Sequence, residues 1–155
     1  MKDQSVFRHI LSELEAGRPA VLIVIAETKG SSAGKAGFKC AVGKDKVTGT
    51  IGGGTAEHLL IQESKEILTI GERFQKLRIM AHNPKSKAEK SGMICSGQQS
   101  TILCKLEPED AETIRALTAA SELKEKAGIL TISENKIEFL KNQKQKSRII
   151  FRQEA

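Results

Sequence analysis

Residues Ala20 to Ala26 read AVLIVIA, the longest apolar run in the chain. Seven residues of mainly β-branched character are too short for a buried helix and far below the roughly 20 needed to span a bilayer. A continuous run without polar alternation predicts a strand covered on both faces. Such a strand demands a sheet with a packing layer on each side, and the rest of the chain has to supply both layers. With 155 residues, a domain can bury roughly 70% of the surface its unfolded chain exposes, so neither metal nor disulfide is needed to hold it together. The three cysteines are odd in number and irregularly spaced, which fits a reducing compartment and a cytoplasmic protein without a membrane segment.

The layers can be read on either side of that run. From Ser5 to Ala16, Val6, Phe7, Ile10, Leu11 and Leu14 recur at helical spacing, and Gly17 is a stop signal. Phe38 to Val42 alternates, placing Phe38, Cys40 and Val42 on one face, and Lys44-Asp45-Lys46 reads as the turn of a hairpin into Val47 to Ile51. A helix beginning near Thr55 would bury Ala56, Leu59, Leu60, Ile67 and Ile70, with Gly71 as its end. Strands follow at Phe74 to Met80 and Ser100 to Leu106, separated by a polar loop, His82 to Ser91. Pro108, Glu109 and Asp110 open a helix to about Ala127, since proline and acids both suit a helix start. A hairpin around Glu134-Asn135 and a short strand near Ile149 to Phe151 complete the chain. The five phenylalanines all fall at core-like positions. No linker or repeat divides 1–155, so the expected fold is a single α+β domain with a mixed sheet and about three helices. Its motif-bearing part is about 10–107, followed by a C-terminal helix and hairpin over 108–155.

Three small-residue segments carry the candidate chemistry. Gly52-Gly53-Gly54-Thr55 joins a strand to a helix. Glycines there allow close backbone approach, and the first helical N–H groups form an anion site with the helix dipole. The spacing is neither a Walker loop nor a dinucleotide fingerprint; its plainer reading is a tight turn. Glu57, three residues or so into that helix, is placed to cap it or to hold a neighbouring loop, with acid–base chemistry the minority reading. Gly30-Ser31-Ser32 with Lys35, Gly37 and Lys39 offers hydroxyls, amides and two ammonium groups to an anion, or is simply a polar surface loop. Cys95, between Gly92 and Gly97, is the one thiol flanked by small residues, whereas Cys40 and Cys104 fall on apolar strand faces and read as core. No ligand spacing for structural zinc surrounds Cys95, and His9, His58 and His82 are scattered with structural or solvated roles expected for His9 and His82.

Together and in this order, Gly30-Ser31-Ser32, Gly37 and Lys39, then Ile51-Gly52-Gly53-Gly54 with Glu57, then Gly92 through Cys95 to Gly97, resemble the xanthine dehydrogenase accessory protein family, XdhC/CoxI. Ala33 and Ala36 stand where that pattern has proline, Cys40 where it usually has methionine, and Ser96 replaces a glycine beside the cysteine. The resemblance implies a maturation factor, a chaperone acting without net catalysis, that binds molybdenum cofactor (molybdopterin) and delivers it to a molybdenum hydroxylase such as xanthine dehydrogenase, with a cysteine desulfurase as a further partner. It implies cofactor contacts from Gly30, Ser31, Ser32, Lys35, Lys39, Gly52, Gly53, Gly54, Thr55, Glu57, Cys95 and Gly97, with Cys95 the candidate neighbour of the metal or its sulfur. Long members carry a C-terminal Rossmann domain. Nothing after Glu107 has its glycine fingerprint, so no NAD is expected of this short form.

Two other classes compete. One is a small sulfur- or nucleotidyl-transferase using Cys95 or the glycine turn on a phosphorylated ligand. The other is a nucleic-acid module built on the basic stretch from Lys141 to Arg152. The excess of 25 Lys and Arg over 19 Asp and Glu favours acidic partners generally, but the absence of Trp and Tyr removes the usual stacking platforms for bases. A symmetric homodimer is the ordinary assembly for a chain of this kind.

Overall fold

The computed structural model describes residues 2–81, 97–122, 129–132 and 137–140. Its elements run α1 (Lys2–Glu15), β1 (Ala20–Lys29), β2 (Lys39–Val42), β3 (Val47–Gly49), α2 (Gly54–Ile67), β4 (Gln75–Ala81), β5 (Gln98–Leu106), a 3-10 turn (Pro108–Asp110), α3 (Ala111–Glu122), β6 (Ile129–Ile132) and β7 (Ile137–Leu140). The strand Ile149 to Phe151, the loop His82 to Ser91, Cys95 and the basic stretch from Lys141 lie outside the described residues.

The apolar run is the middle strand of a five-stranded sheet ordered β3-β2-β1-β5-β4. Six consecutive residues, Ala20 to Ile25, are buried because both faces of β1 are covered. On one face Val21, Ile23 and Ile25 pack with Cys40, Val42, Leu103 and the α2 residues Ala56, Leu60 and Ile67. On the other, Ala20 and Leu22 pack with Ala41, Cys104, Leu106, the α1 residues Val6, Phe7, Ile10 and Leu14, and Ile114 of α3. Cys40 and Cys104 are both fully buried, as their strand positions foretold. Burial pushes each thiol up to about 12, so neither supplies a thiolate near neutral pH.

The α+β class and three helices agree with the sequence reading, while the sheet differs from the mixed one expected. Every pairing among the described strands is antiparallel. Helix α2 does connect two strands of the same direction, β3 and β4, but these lie at opposite edges of the sheet with three strands between them. A crossover therefore exists without a parallel pair. Two side chains also depart from their expected places. Leu59 is 45% exposed because the buried stripe of α2 runs through Ala56, Leu60, Ser64 and Ile67, one position away. Phe38 precedes β2 and is 38% exposed.

One end of the core is tied by ionic contacts. Arg73 donates to both carboxylate oxygens of Asp110 at 2.8 and 2.9 Å. The buried Lys105 donates its ammonium to the carbonyls of Ile70 and Glu72 and lies 2.7 Å from a Glu107 carboxylate oxygen. Both pairs sit near the C-terminal end of α2, leaving the opposite end of the sheet to the glycine segments.

Candidate functional site

The first two sequence segments, and Gly97 of the third, meet where β1 ends, β5 begins and α2 starts. The contact is made by backbone against backbone, which only residues without a Cβ permit. A Cβ on Gly34 would overlap the carbonyl oxygen of Ile51 and the Ile25 side chain. A Cβ on Gly52 would stand 2.6 Å from the Gly34 nitrogen and 2.9 Å from the Ala33 carbonyl carbon. A Cβ on Gly97 would overlap the Ser31 carbonyl. The loop after β1 is thus held between the turn before α2 on one side and the start of β5 on the other.

Polar side chains complete the clamp. Glu57 accepts three hydrogen bonds on one carboxylate oxygen, Oε2: from Thr50 Oγ1 at 2.5 Å, from the Ile51 amide at 2.8 Å and from the Gly53 amide at 2.9 Å. Thr50 Oγ1 also accepts from the Gly52 amide at 3.1 Å. Burial pushes the Glu57 pKa up, and the hydrogen bonds from Thr50, Ile51 and Gly53 more than offset it, holding the carboxyl below its ordinary value. The geometry of Glu57 is that of a loop-holding carboxylate. On the other side of the loop, Ser32 Oγ donates to Gln99 Oε1 at 3.2 Å, and Gln99 Nε2 donates to Thr101 Oγ1 at 3.0 Å. Gln99 is 2% exposed. Sequence reasoning missed it, since a single glutamine in a run of polar residues carries no signal until the strand register turns it inward against the α2 face.

Among the described residues, nothing covers the outer side of this assembly. Gly53 and Gly54 have φ of 76° and 75°, and a Cβ at either would meet nothing within 4 Å. Left-handed backbone with free space outside is where a ligand can approach the main chain. No side chain caps α2 at its N-terminus, and Gly54 and Thr55 are exposed, so their first-turn N–H groups face solvent. Gly30, Ser31 and Lys35 are exposed on the neighbouring loop. Lys39 is placed differently. Its ammonium donates to the Gly37 carbonyl at 2.8 Å and lies 3.4 Å from Asp3, on the α1 face of the sheet, away from the α2 N-terminus. His58 is exposed, and His9 is buried beside Glu13 at 3.9 Å; burial lowers the His9 pKa, against the pull of Glu13. No group of three or more His, Cys, Asp or Glu able to hold a metal occurs among the described residues.

With this arrangement established, the XdhC and CoxI family model matches residues 13–79. The matched stretch is less than half of this chain and is a likeness to that family over those residues. It contains the first two motifs and their contact, Gly34 on Ile51 and Gly52 on Gly34, while Gly97 lies beyond it. No curated protein matches the chain. Among solved structures, the fold is similar to that of a xanthine dehydrogenase from Bacillus halodurans, with a TM-score of 0.59, 20% identity and 77% of this chain covered. At that identity the likeness is one of fold. The match spans 34% of the Bacillus halodurans chain, about a third of its length. No helix among the described residues is long and apolar enough to cross a membrane.

Proposed function

We propose that this XdhC/CoxI-type chain is a maturation factor for a xanthine dehydrogenase-like molybdenum hydroxylase, and that its cargo is molybdenum cofactor. The observation that carries the reading is the contact between the first two glycine motifs, with Gly97 packed on Ser31, in a clamped assembly whose outward side, among the described residues, presents unshielded backbone. The cargo is anionic through its phosphate or diphosphate. The N–H groups of Gly54 and Thr55 would receive that group, aided by the α2 dipole, while Ser31, Ser32 and Lys35 would close on it from the adjoining loop. Glu57 takes the Ile51 and Gly53 amides for itself, so its part is to hold the turn in shape rather than to touch the cargo. Lys39 would contribute only after exchanging its Asp3 and Gly37 partners. Cys95, in the third motif, would stand nearest the metal or its transferable sulfur.

Delivery requires binding that is firm yet reversible, and backbone amides at an exposed helix start suit that task. The chain's role would be to bind, shield and release, with no bond made or broken in the cargo. Reconstitution of a cofactor-free hydroxylase tests it. Hydroxylase activity recovered from sulfurated cofactor should rise severalfold when this chain is present, and Cys95→Ser should remove most of that gain. Recovery unaffected by the chain would overturn the maturation role; full recovery with Cys95→Ser would take the thiol out of the site.

A further inference from the structure

Helix α2 ends far from the glycine assembly, about 21 Å away along its 14 residues. A groove of about 480 Å³ opens at that pole, lined by Arg18, Pro19, Lys44, Lys65, Leu68 and Thr69. We propose that it is a second binding site, for an organic anion with an apolar body. Its volume lies in the range of small-molecule sites, and its chemistry is an apolar floor with a few charged groups at the rim. Pro19 and Leu68 supply the floor. Arg18, Lys44 and Lys65 line the walls, the Arg18 charge already met by Glu13.

The rim is built rather than incidental. Glu13 of α1, 7% exposed, accepts from Arg18 Nε at 2.8 Å and from its terminal nitrogen at 3.2 Å. The same side chain packs against Gly43, at the start of the β2–β3 turn that carries Lys44. One buried group thus contacts both the Arg18 side chain and that turn. Gly43 makes this possible, since a Cβ there would stand 2.8 Å from His9 Nε2 and 2.9 Å from the Glu13 carboxyl carbon. Lys44 and Lys65 have no ion-pair partner among the described residues, so their charges are available to a ligand. The carbonyls ending α2 would repel an anion, but those of Ser64, Glu66 and Ile67 are already occupied. Leu68, Thr69 and Ile70 donate back to Ser64, Glu66 and Ile67, and Lys105 covers Ile70. This site does not depend on the cofactor reading.

The probe is 1-anilinonaphthalene-8-sulfonate, which joins one sulfonate to a two-ring apolar body, titrated by fluorescence against the full chain. One saturable site is expected, weakened about tenfold or more when Lys44→Glu and Lys65→Glu are combined. Both residues are exposed, so the double variant should keep the wild-type circular dichroism spectrum, with a melting temperature lower by at most a few degrees because an acid replaces Lys65 in the last turn of α2. Thr55→Glu, at the other pole, should leave the affinity unchanged. Unaltered binding in the folded double variant would overturn the site. So would equal binding of the uncharged analogue N-phenyl-1-naphthylamine, which would show that charge is not read, or displacement by inorganic phosphate as effective as by an aromatic sulfonate, which would show that the apolar body is not.

Discussion

Gly34→Ala is expected to destabilise the fold by about 3 kcal/mol or more, lowering the melting temperature by roughly 6–12 °C. One methyl group causes this because of what it would strike. The added carbon meets the Ile51 carbonyl and Ile25 Cδ1 and comes within 3.2 Å of Gln99 Oε1. Ile51 cannot yield easily, since its amide is bonded to Glu57 and its side chain is 2% exposed. Ile25 is fully buried in the α2-side core. Overpacking a rigid backbone contact therefore displaces the loop after β1 as a whole. Gly54→Ala is the control. That position has a positive φ, but open space around it, so only the left-handed backbone penalty of about 1–2 kcal/mol applies. Thermal unfolding of the two variants separates close packing from backbone strain. Equal costs would mean that the loop contact inferred at Gly34 contributes nothing of its own.

The second large effect is expected at Glu57. Glu57→Ala leaves Thr50 Oγ1 and the amides of Ile51 and Gly53 without their common acceptor, at a cost of about 2–4 kcal/mol for charge-assisted bonds in a part-buried turn. Glu57→Gln keeps an acceptor of the same shape and should recover part of the loss. The pH dependence identifies the charge. Because the folded-state pKa lies below the ordinary value of 4.5, the carboxylate's contribution is fully present above that value and is lost as pH falls through the lower folded pKa. The stability gap between wild type and Glu57→Gln should therefore be widest near neutral pH and shrink on acidification. A gap that does not change with pH in denaturant titrations would show that the ionised carboxylate is not what holds the turn.

How far these residues were legible in the sequence depends on the range of the interaction. The central strand was legible because a strand buried on both faces leaves an unbroken apolar run, and AVLIVIA has no other simple reading. Cys40 and Cys104 were placed correctly by strand alternation alone. The helix face of α2 was nearly right, yet Leu59 was assigned to the core because an apolar residue next to the stripe looks identical to one on it. The sheet's antiparallel order was not legible, since it depends on which edge β4 joins, a choice made by long-range packing. At the site, the motifs marked where glycine is required but not what each glycine faces. Gly34 was passed over between Ala33 and Lys35 although it makes one of the tightest contacts in the loop. Gln99 and the α1-side placement of Lys39 needed the register of β5 and β2. Glu57 was the intermediate case: its distance from the turn suggested either a cap or a loop anchor, and only the three donors decide for the anchor.

We propose that the N-terminus of α2 receives the anionic group of molybdenum cofactor, and anaerobic titration of the chain with that cofactor, beside Thr55→Glu, is the test. An acid in the first turn favours the helix itself by a few tenths of a kcal/mol to about 1 kcal/mol, so the variant should fold at least as stably as wild type, and it places a negative charge where the ligand's would sit. Saturable binding by the wild type, weakened about tenfold or more in Thr55→Glu, is the predicted result. Equal affinity in both proteins, or no binding by the folded wild type, would contradict it.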